Sequence, residues 1–574
     1  MKREFYVLTG ILALTAVLHI YGTGWGVPDS DRAVLAAGAD ETVGELLPVM
    51  IGLHEEIAEM IPSYGRHYSP SYAPNEPVIV KSGGREIATD KSILNSLRSY
   101  FIRSYGADEQ RAIIALSRIR PEQKKFNPHF YEYGGVYLYP MGLFFYGLSG
   151  LNIITLKSDM SFYFLNPEEM GRMYVWGRVF GAAGALLSVI VFFLLCRQLF
   201  ADKRLAYFLT LLYGAAPGFV LWSHYLKPFS YGMLWFLLSL WAAVKFYREG
   251  KDKWLYFSAA FAGLSFGTLL SYGYSYWGIC IFILFSGRGY GWKLKSFFLT
   301  FLVFLAVFFM TNPYVLLSFR EFMQEIAYLT GYWKSEISLD SLRVFTFNTL
   351  RYGFGTPLWI ALLAGIAGSL LYKPEKKDLL FFLLFLPGFL YFALKTAVWV
   401  HYSIFLYPLL IISTGLFFSR LRLKKILYVS LTVVSIFTAL YSASYVKILG
   451  EKNTRTAAGE WINLNIPAGE RIGLLEAPSP WRTPPFRFLD YKVAVVGEKE
   501  AIDREKPDYF IVSEYQWLRG KGFSAMEELL SGYAIIQKFE KESSFAGIRF
   551  SRPERVPHDW CHPNPVILIW KIKE

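Results

Sequence analysis

Cysteine is nearly absent: the 574-residue chain has three, Cys196, Cys280 and Cys561. They lie far apart with no metal-ligand spacing, which excludes a disulfide framework and a zinc motif. No repeat of about 20 to 50 residues stands out, so a solenoid is excluded. Charge is sparse too, at 18% Asp, Glu, Lys and Arg. The net charge of +13 does not point to nucleic acid. Much of the Lys and Arg sits in short clusters between apolar stretches, where membrane orientation requires it.

Apolar residues are what the chain has in excess. It is 53% hydrophobic and 18% aromatic, with a mean hydropathy of +0.30. A bilayer crossing takes about 20 apolar residues, and such runs recur near 173–196, 205–222, 229–247, 254–271, 274–287, 296–317, 357–372, 379–394, 398–419 and 426–446. An N-terminal run follows Met1-Lys2-Arg3 to about Ile20; it is long for a signal peptide and lacks a small-residue cleavage site, so it reads as a retained first span. Basic clusters at 197–204, 245–253, 288–295, 373–377 and 420–425 fall in every second connection, which puts them in the cytoplasm. The connections at 223–228, 272–275 and 318–356 are then external. A further apolar stretch, 134–155, would invert every basic loop if it crossed. It is expected to enter or lie along the outer face instead, leaving about eleven spans. The fold class is a mainly α-helical polytopic membrane protein.

Two regions are not membrane-like. Residues 25–133 form a long first external region, with candidate helices at 44–60 and 91–105 and a Pro/Tyr/Ser loop at 62–77. From about 451 to 574 the composition is that of a small soluble α/β or α+β domain outside the cell. A helix at 454–463 precedes strands at 471–475, 492–496, 509–512, 533–539 and 566–570. No Gly-rich nucleotide-binding loop occurs there. The membrane module is residues 1–450.

The chemistry concentrates in Asp108–Pro140, DEQRAIIALSRIRPEQKKFNPHFYEYGGVYLYP. Ala112, Ile113, Leu116 and Ile119 follow the adjacent carboxylates Asp108 and Glu109 at helical spacing, and Pro121 closes the segment. The pair is therefore expected in a first helical turn, where the dipole favours negative charge. That is either ordinary helix-start chemistry or a general base kept ionised. Asn127-Pro128-His129-Phe130 and an aromatic run follow. An acidic pair, a helix of this length, Asn-Pro-His-Phe and a Tyr-rich membrane entry resemble the first external loop of GT-C membrane glycosyltransferases. The relatives are the family 39 enzymes, protein O-mannosyltransferases and aminoarabinose transferases, which use polyprenyl-phosphate sugars.

That resemblance implies a GT-C fold, inverting sugar transfer at the extracytoplasmic face of a bacterial or archaeal plasma (inner) membrane, and Asp108 as the catalytic carboxylate with Glu109 second. From the residues alone the two are not separable, and Asp29-Ser30-Asp31 is a rival acidic site. Trp222-Ser223-His224-Tyr225-Leu226-Lys227-Pro228 resembles the family's Ser-His-Tyr turn, with Lys227 where relatives commonly carry an acid. Lys227 and His224 read equally as interfacial or capping groups and as substrate contacts. Arg178 resembles an Arg at the start of the corresponding family span; an internal ion pair and a donor-phosphate contact are its two readings. His401-Tyr402 stands where Arg-Tyr is typical, and His129 with Glu132 is placed to line an acceptor site. The candidate substrate contacts are His129, Arg178, His224, Lys227, His401 and Tyr402. A divalent metal near Asp108, Glu109 and His129 is chemically conceivable but not predicted, and no cofactor is implied.

The expected partners are a polyprenyl-phosphate sugar, membrane lipid, and a lipid, glycan or protein acceptor. Two other functions compete. A lipid-linked-sugar flippase or other transporter would place paired ionisable groups near mid-membrane, whereas here most acids lie in loops. A receptor or scaffold would leave the acidic external stretch unexplained.

Overall fold

The computed structural model describes residues 2–38, 40–60, 76–332, 337–372, 374–395, 399–520, 522–550 and 556–573. Helix dominates. Among the described residues, Pro167–Leu199, Pro228–Glu249, Tyr290–Thr311 and the segment that begins at Lys424 are each long and apolar enough to cross a bilayer. Lys203–Gly214 and Pro217–Ser223 together make a fifth, bent by 51° where Pro217 interrupts the run. The shorter apolar helices are Glu4–Ile20, Leu270–Leu284, Thr356–Leu371 and Leu406–Arg420. Helix length alone thus supports four or five crossings, against the about eleven apolar runs expected from hydropathy.

The 33-residue helix Pro167–Leu199 is the axis of the module. At 1.5 Å per residue it runs about 50 Å, well beyond the thickness of the hydrocarbon layer, and its first turns carry Arg172 and Arg178. Pro228–Glu249 packs along it through small residues: a Cβ on Gly184 would lie 2.9 Å from the Tyr231 Cα. Close backbone approach of this kind is how helices associate where no water drives them together.

Gly135–Gly150 begins the 134–155 stretch and is 16 residues long, about 24 Å. That falls short of the hydrocarbon thickness of about 30 Å, although Thr356–Leu371 is equally short. Its entry is pinned by Gly134 N–H to Thr268 O at 3.0 Å and Gly135 N–H to Asn312 Oδ1 at 2.6 Å.

Residues 25–133 hold helices Ser30–Ala37, Asp40–Met60, Lys91–Ile102 and Gln110–Ser117. Between the second and third lies a hairpin that the sequence reading omitted, β1 (Pro77–Ser82) and β2 (Arg85–Asp90), turning at Gly83-Gly84, both with positive φ. The loop expected at 62–77 lies almost wholly outside the described residues. Asp29, part of the rival acidic site, caps Ser30–Ala37 by accepting the Arg32 N–H at 2.7 Å.

The C-terminal part begins with helix Thr454–Asn465. Strands β3 (Arg471–Leu474), β4 (Lys492–Val495), β5 (Tyr509–Ser513), β6 (Tyr533–Phe539) and, after the small hairpin β7 (Ser543–Phe545) and β8 (Ile548–Phe550), β9 (Ile567–Ile572) follow. The main sheet has order β4-β3-β5-β9-β6, parallel across β4-β3-β5 and antiparallel across β5-β9-β6. Because β9 is an inner strand, the chain just before it, 556–566, is drawn between the sheet and the membrane module.

The Gly184 contact is open to test. Gly184→Leu forces the Tyr231 backbone aside, and overpacking of this kind destabilises by about 1–3 kcal/mol. A lowered thermal midpoint in detergent is expected; an unchanged midpoint would show the two helices are not packed this way.

Candidate active site

Asp108 and Glu109 do not begin a helical turn. The helix starts at Gln110, Glu109 occupies the cap position without a side-chain cap bond, and Asp108 has φ 66°, in the left-handed region. For a residue with a Cβ that conformation is disfavoured by about 1–2 kcal/mol. Its effect is to send two adjacent carboxylates into different surroundings.

Glu109 is wholly buried. Arg178 holds it with two hydrogen bonds, Nε to Oε1 at 2.9 Å and Nη2 to Oε2 at 2.6 Å. The Leu226 N–H donates to Oε1 at 2.7 Å, and the Ser104 hydroxyl donates to Oε2. Gly106 makes room, since a Cβ there would meet Oε2 at 2.0 Å. Arg178 in turn donates Nη1 to the carbonyls of Thr23 and Trp25 at 2.6 and 2.7 Å, with its guanidinium over the Trp25 ring. Burial pushes the Glu109 carboxyl up, but Arg178 and the surrounding donors outweigh it and hold it below the usual carboxylate value. Of its two readings, Arg178 is found in the internal ion pair.

Asp108 keeps a side chain 42% exposed. Arg111 Nη2 lies 2.9 Å from Oδ1 and Lys227 Nζ 3.6 Å from Oδ2. Arg111 also binds Glu132 at 2.9 Å. Lys227 is buried up to its contact with Asp108 and lies 5.2 Å over the Trp222 ring. The outcome is one carboxylate reachable from solvent, between two cations, beside an aromatic floor. Phosphate and carboxylate chemistry both fit such a set.

The other residues singled out in the sequence are placed as follows. His224 sits between the Val220 and Tyr21 carbonyls, 2.8 Å from each, and is buried. His129, at φ 47°, lies 2.9 Å from Glu321, while Asn127 donates to Ser318 at 3.0 Å, so Asn-Pro-His-Phe docks onto helix Phe319–Tyr332. Beside this stretch lies a small aromatic cleft of about 20 Å³, lined by Phe130, Tyr133, Phe266, Phe308 and Tyr314. His401 contacts Trp222, with ring centroids 4.2 Å apart, and its Nδ1 is 3.2 Å from Asp559 Oδ2. Tyr402 packs against His401 and stacks on Phe392. No three metal-ligating side chains come together among the described residues.

Sequence reasoning missed Arg111, Trp222 and the segment 556–565, Val-Pro-His-Asp-Trp-Cys-His-Pro-Asn-Pro. The last carries its own signal: two His, an Asp and a Trp between prolines just before a strand.

Residues 173–314 match the dolichyl-phosphate-mannose-protein mannosyltransferase family. That stretch takes in Arg178, the Ser-His-Tyr turn and Lys227, and agrees with the resemblance to GT-C membrane glycosyltransferases seen in the sequence. No curated protein sequence matches the chain. Among solved structures, ArnT from Cupriavidus metallidurans bound to undecaprenyl phosphate is similar at 13% identity, over 81% of this chain and 93% of that one, with a TM-score of 0.41. Archaeal oligosaccharyltransferase AglB from Archaeoglobus fulgidus, in complex with an inhibitory peptide and a dolichol-phosphate, is 12% identical over 77% and 69%, at 0.39. Arabinofuranosyltransferase AftD from Mycobacteria is 11% identical over 99% and 40%, at 0.42.

Two measurements test this geometry. Glu109→Gln or Arg178→Met alone strands a buried charge, which destabilises by about 3–5 kcal/mol, whereas Glu109→Leu with Arg178→Met restores part of that. Equal thermal midpoints for single and double variants would mean the pair is not formed. The second concerns Glu325, which accepts the N–H groups of Tyr131 and Glu132 at 3.0 and 2.8 Å. Burial, reinforced by Glu132, holds its carboxyl up at about 7. The unfolded carboxyl titrates near 4.5, so the folded state binds the extra proton between the two values and stability falls as pH rises from about 4.5 to 7. Amide exchange at Tyr131 and Glu132 should quicken from pH 5 to 8 beyond its intrinsic increase, and Glu325→Gln should abolish that excess. Exchange that follows only the intrinsic rate in the parent protein would sink the assignment.

Proposed function

We propose that the protein is an integral membrane glycosyltransferase that moves one sugar from a polyprenyl phosphate to an extracytoplasmic acceptor, with inversion at the anomeric carbon. The observation that carries this reading is the split of the acidic pair: Glu109 is consumed by Arg178, while Asp108 stays accessible beside Lys227. Asp108 takes the proton of the acceptor hydroxyl as that oxygen attacks the anomeric carbon. The bond from the anomeric carbon to the phosphate oxygen breaks, and its electron pair leaves with the lipid phosphate. Lys227, helped by Arg111, meets the charge that grows there. A donor phosphate that takes Lys227 also relieves Asp108 of one of its two cations, so that donor binding readies the base.

Glu109 and Arg178 are positioning residues in this scheme. They hold the Leu226 amide, and with it the turn that ends in Lys227. His224 fixes the same turn against the first helix. His129 orients the aromatic entry, and His401 and Tyr402 floor the site from the other side. The setting is the plasma membrane of a bacterium or archaeon, with the site on its outer side.

Purified protein supplied with radiolabelled polyprenyl-phosphate sugars tests the scheme. Asp108→Asn should lower transfer by about 10²–10⁴-fold, the usual reach of a general base, while leaving donor binding within a few fold. Lys227→Met should instead weaken binding of the lipid phosphate. Undiminished transfer by Asp108→Asn would remove Asp108 from the mechanism. Lipid movement across vesicles with no labelled product from any donor would favour a flippase.

A further inference from the structure

The helix Lys424–Leu449 carries a row of apolar side chains one turn apart. Val429, Val433 and Phe437 follow at intervals of four, and all three are exposed. Residues so spaced share one face of a helix. On a segment long and apolar enough to cross a bilayer, such a face meets lipid. The next member of the row, Tyr441, is partly buried, because Phe550 packs on it with ring centroids 5.2 Å apart. Tyr441 lies about 6 Å further along the axis than Phe437. The lipid-facing row therefore ends, and the C-terminal part takes over, within a single turn. Tyr441 and Tyr445 stand at this boundary, the level in a membrane that Tyr favours.

Phe550 belongs to the hairpin of β7 and β8. Its turn residues, Ala546 and Gly547, have φ of 49° and 79°, the positive values that a tight two-residue hairpin needs. Asn-Gly or Asp-Gly is the usual choice there. Here the tip reads Phe545-Ala546-Gly547-Ile548, with no polar side chain. All four residues are exposed, and Phe545 and Ile548 stand opposite each other in register. Water is a poor surrounding for such a tip, whereas the edge of a bilayer lets the same side chains leave it. Arg549, next along the strand, is exposed as well, where a lipid phosphate can meet it.

We propose that the β7–β8 hairpin is a membrane anchor, with Phe545 and Ile548 seated in the bilayer interface beside the helix row that ends at Phe437. Its partner is the phospholipid around the protein. The anchor does not depend on the glycosyl-transfer reading, but it bears on the site. The Tyr441 ring that contacts Phe550 also stacks on Trp560 at 6.3 Å. Trp560 follows Asp559, which accepts the His401 backbone N–H and lies 3.2 Å from its ring nitrogen. A hairpin fixed in lipid thus steadies the segment that reaches His401.

A spin label on Ala546→Cys tests the anchor in full-length protein, reconstituted in nanodiscs of phosphatidylcholine and phosphatidylglycerol. Cys280→Ala removes the native cysteine that is not buried. A label on Ser531→Cys, exposed at the far end of β6 from the hairpin, gives the reference in water. The ratio of oxygen to nickel-chelate collision rates at position 546 should exceed that at 531 at least threefold. Phe545→Asp with Ile548→Asp should bring the ratio at 546 down to that at 531. Equal ratios at the two positions in the parent protein would overturn the anchor, and so would a ratio that the double substitution leaves unmoved. The first comparison stands even where the double variant does not fold. A label at 546 shielded from both reagents would mean that protein, a second copy or another chain, covers the tip, and would overturn the anchor too.

Discussion

An ionised carboxylate and a guanidinium removed from water each carry a desolvation penalty of several kcal/mol, and only close mutual pairing with every other lone pair and N–H satisfied offsets it. Glu109 and Arg178 meet that demand by drawing on four separate parts of the chain. These are the loop at 104–109, the first turns of Pro167–Leu199, the amide of Leu226, and the carbonyls of Thr23 and Trp25. No one of these segments can move without stranding a buried charge. This end of the membrane module is thus built around the pair, and the turn bearing Lys227 takes its position from it.

The consequence for Asp108 is steric and electrostatic at once. Two neighbouring carboxylates cannot both enter one buried cation site, because like charges at that distance repel. Once Glu109 is inside, the preceding residue must turn away, and the left-handed φ of Asp108 is the backbone record of that turn. Backbone strain of this sort persists only where the surroundings over-determine it, and here Arg111 and Lys227 hold the side chain from two sides. A half-exposed carboxylate thus stands next to a satisfied, buried one.

How much of this could be read from residues alone varies with the range of the interaction. The strands at 471–475, 492–496, 509–512 and 533–539 are legible because alternation and Pro-rich turns are local signals, and the observed strands begin at the same residues. The hairpin at 77–90 is equally local, with Gly83-Gly84 after the β-branched run Val78-Ile79-Val80, and is masked by the long polar region around it. The pair at 108–109 could be picked out but not resolved into roles, since that depends on Arg178, 69 residues away. His401 and Asp559 are 158 residues apart, and nothing local to either predicts their meeting.

The remaining asymmetry lies in what each part of the molecule contributes. The charged groups around the accessible carboxylate, Asp108, Lys227 and Arg111, all come from the membrane module, fixed by a pair that tolerates no drift. The groups on the far side of Trp222 are rings and neutral imidazoles, His401, Trp399 and His562, tied to the C-terminal sheet through Asp559 and Arg455. Rings and neutral donors discriminate by shape and hydrogen-bond pattern, with little effect on charge development, whereas the ions act on every substrate alike. Trp222 is where the two meet, touching Lys227 on one side and His401 on the other. An indole carries no charge of its own, so through Trp222 the two sides are joined by packing, while the Asp559 carboxylate of the C-terminal turn is itself a charge held against His401.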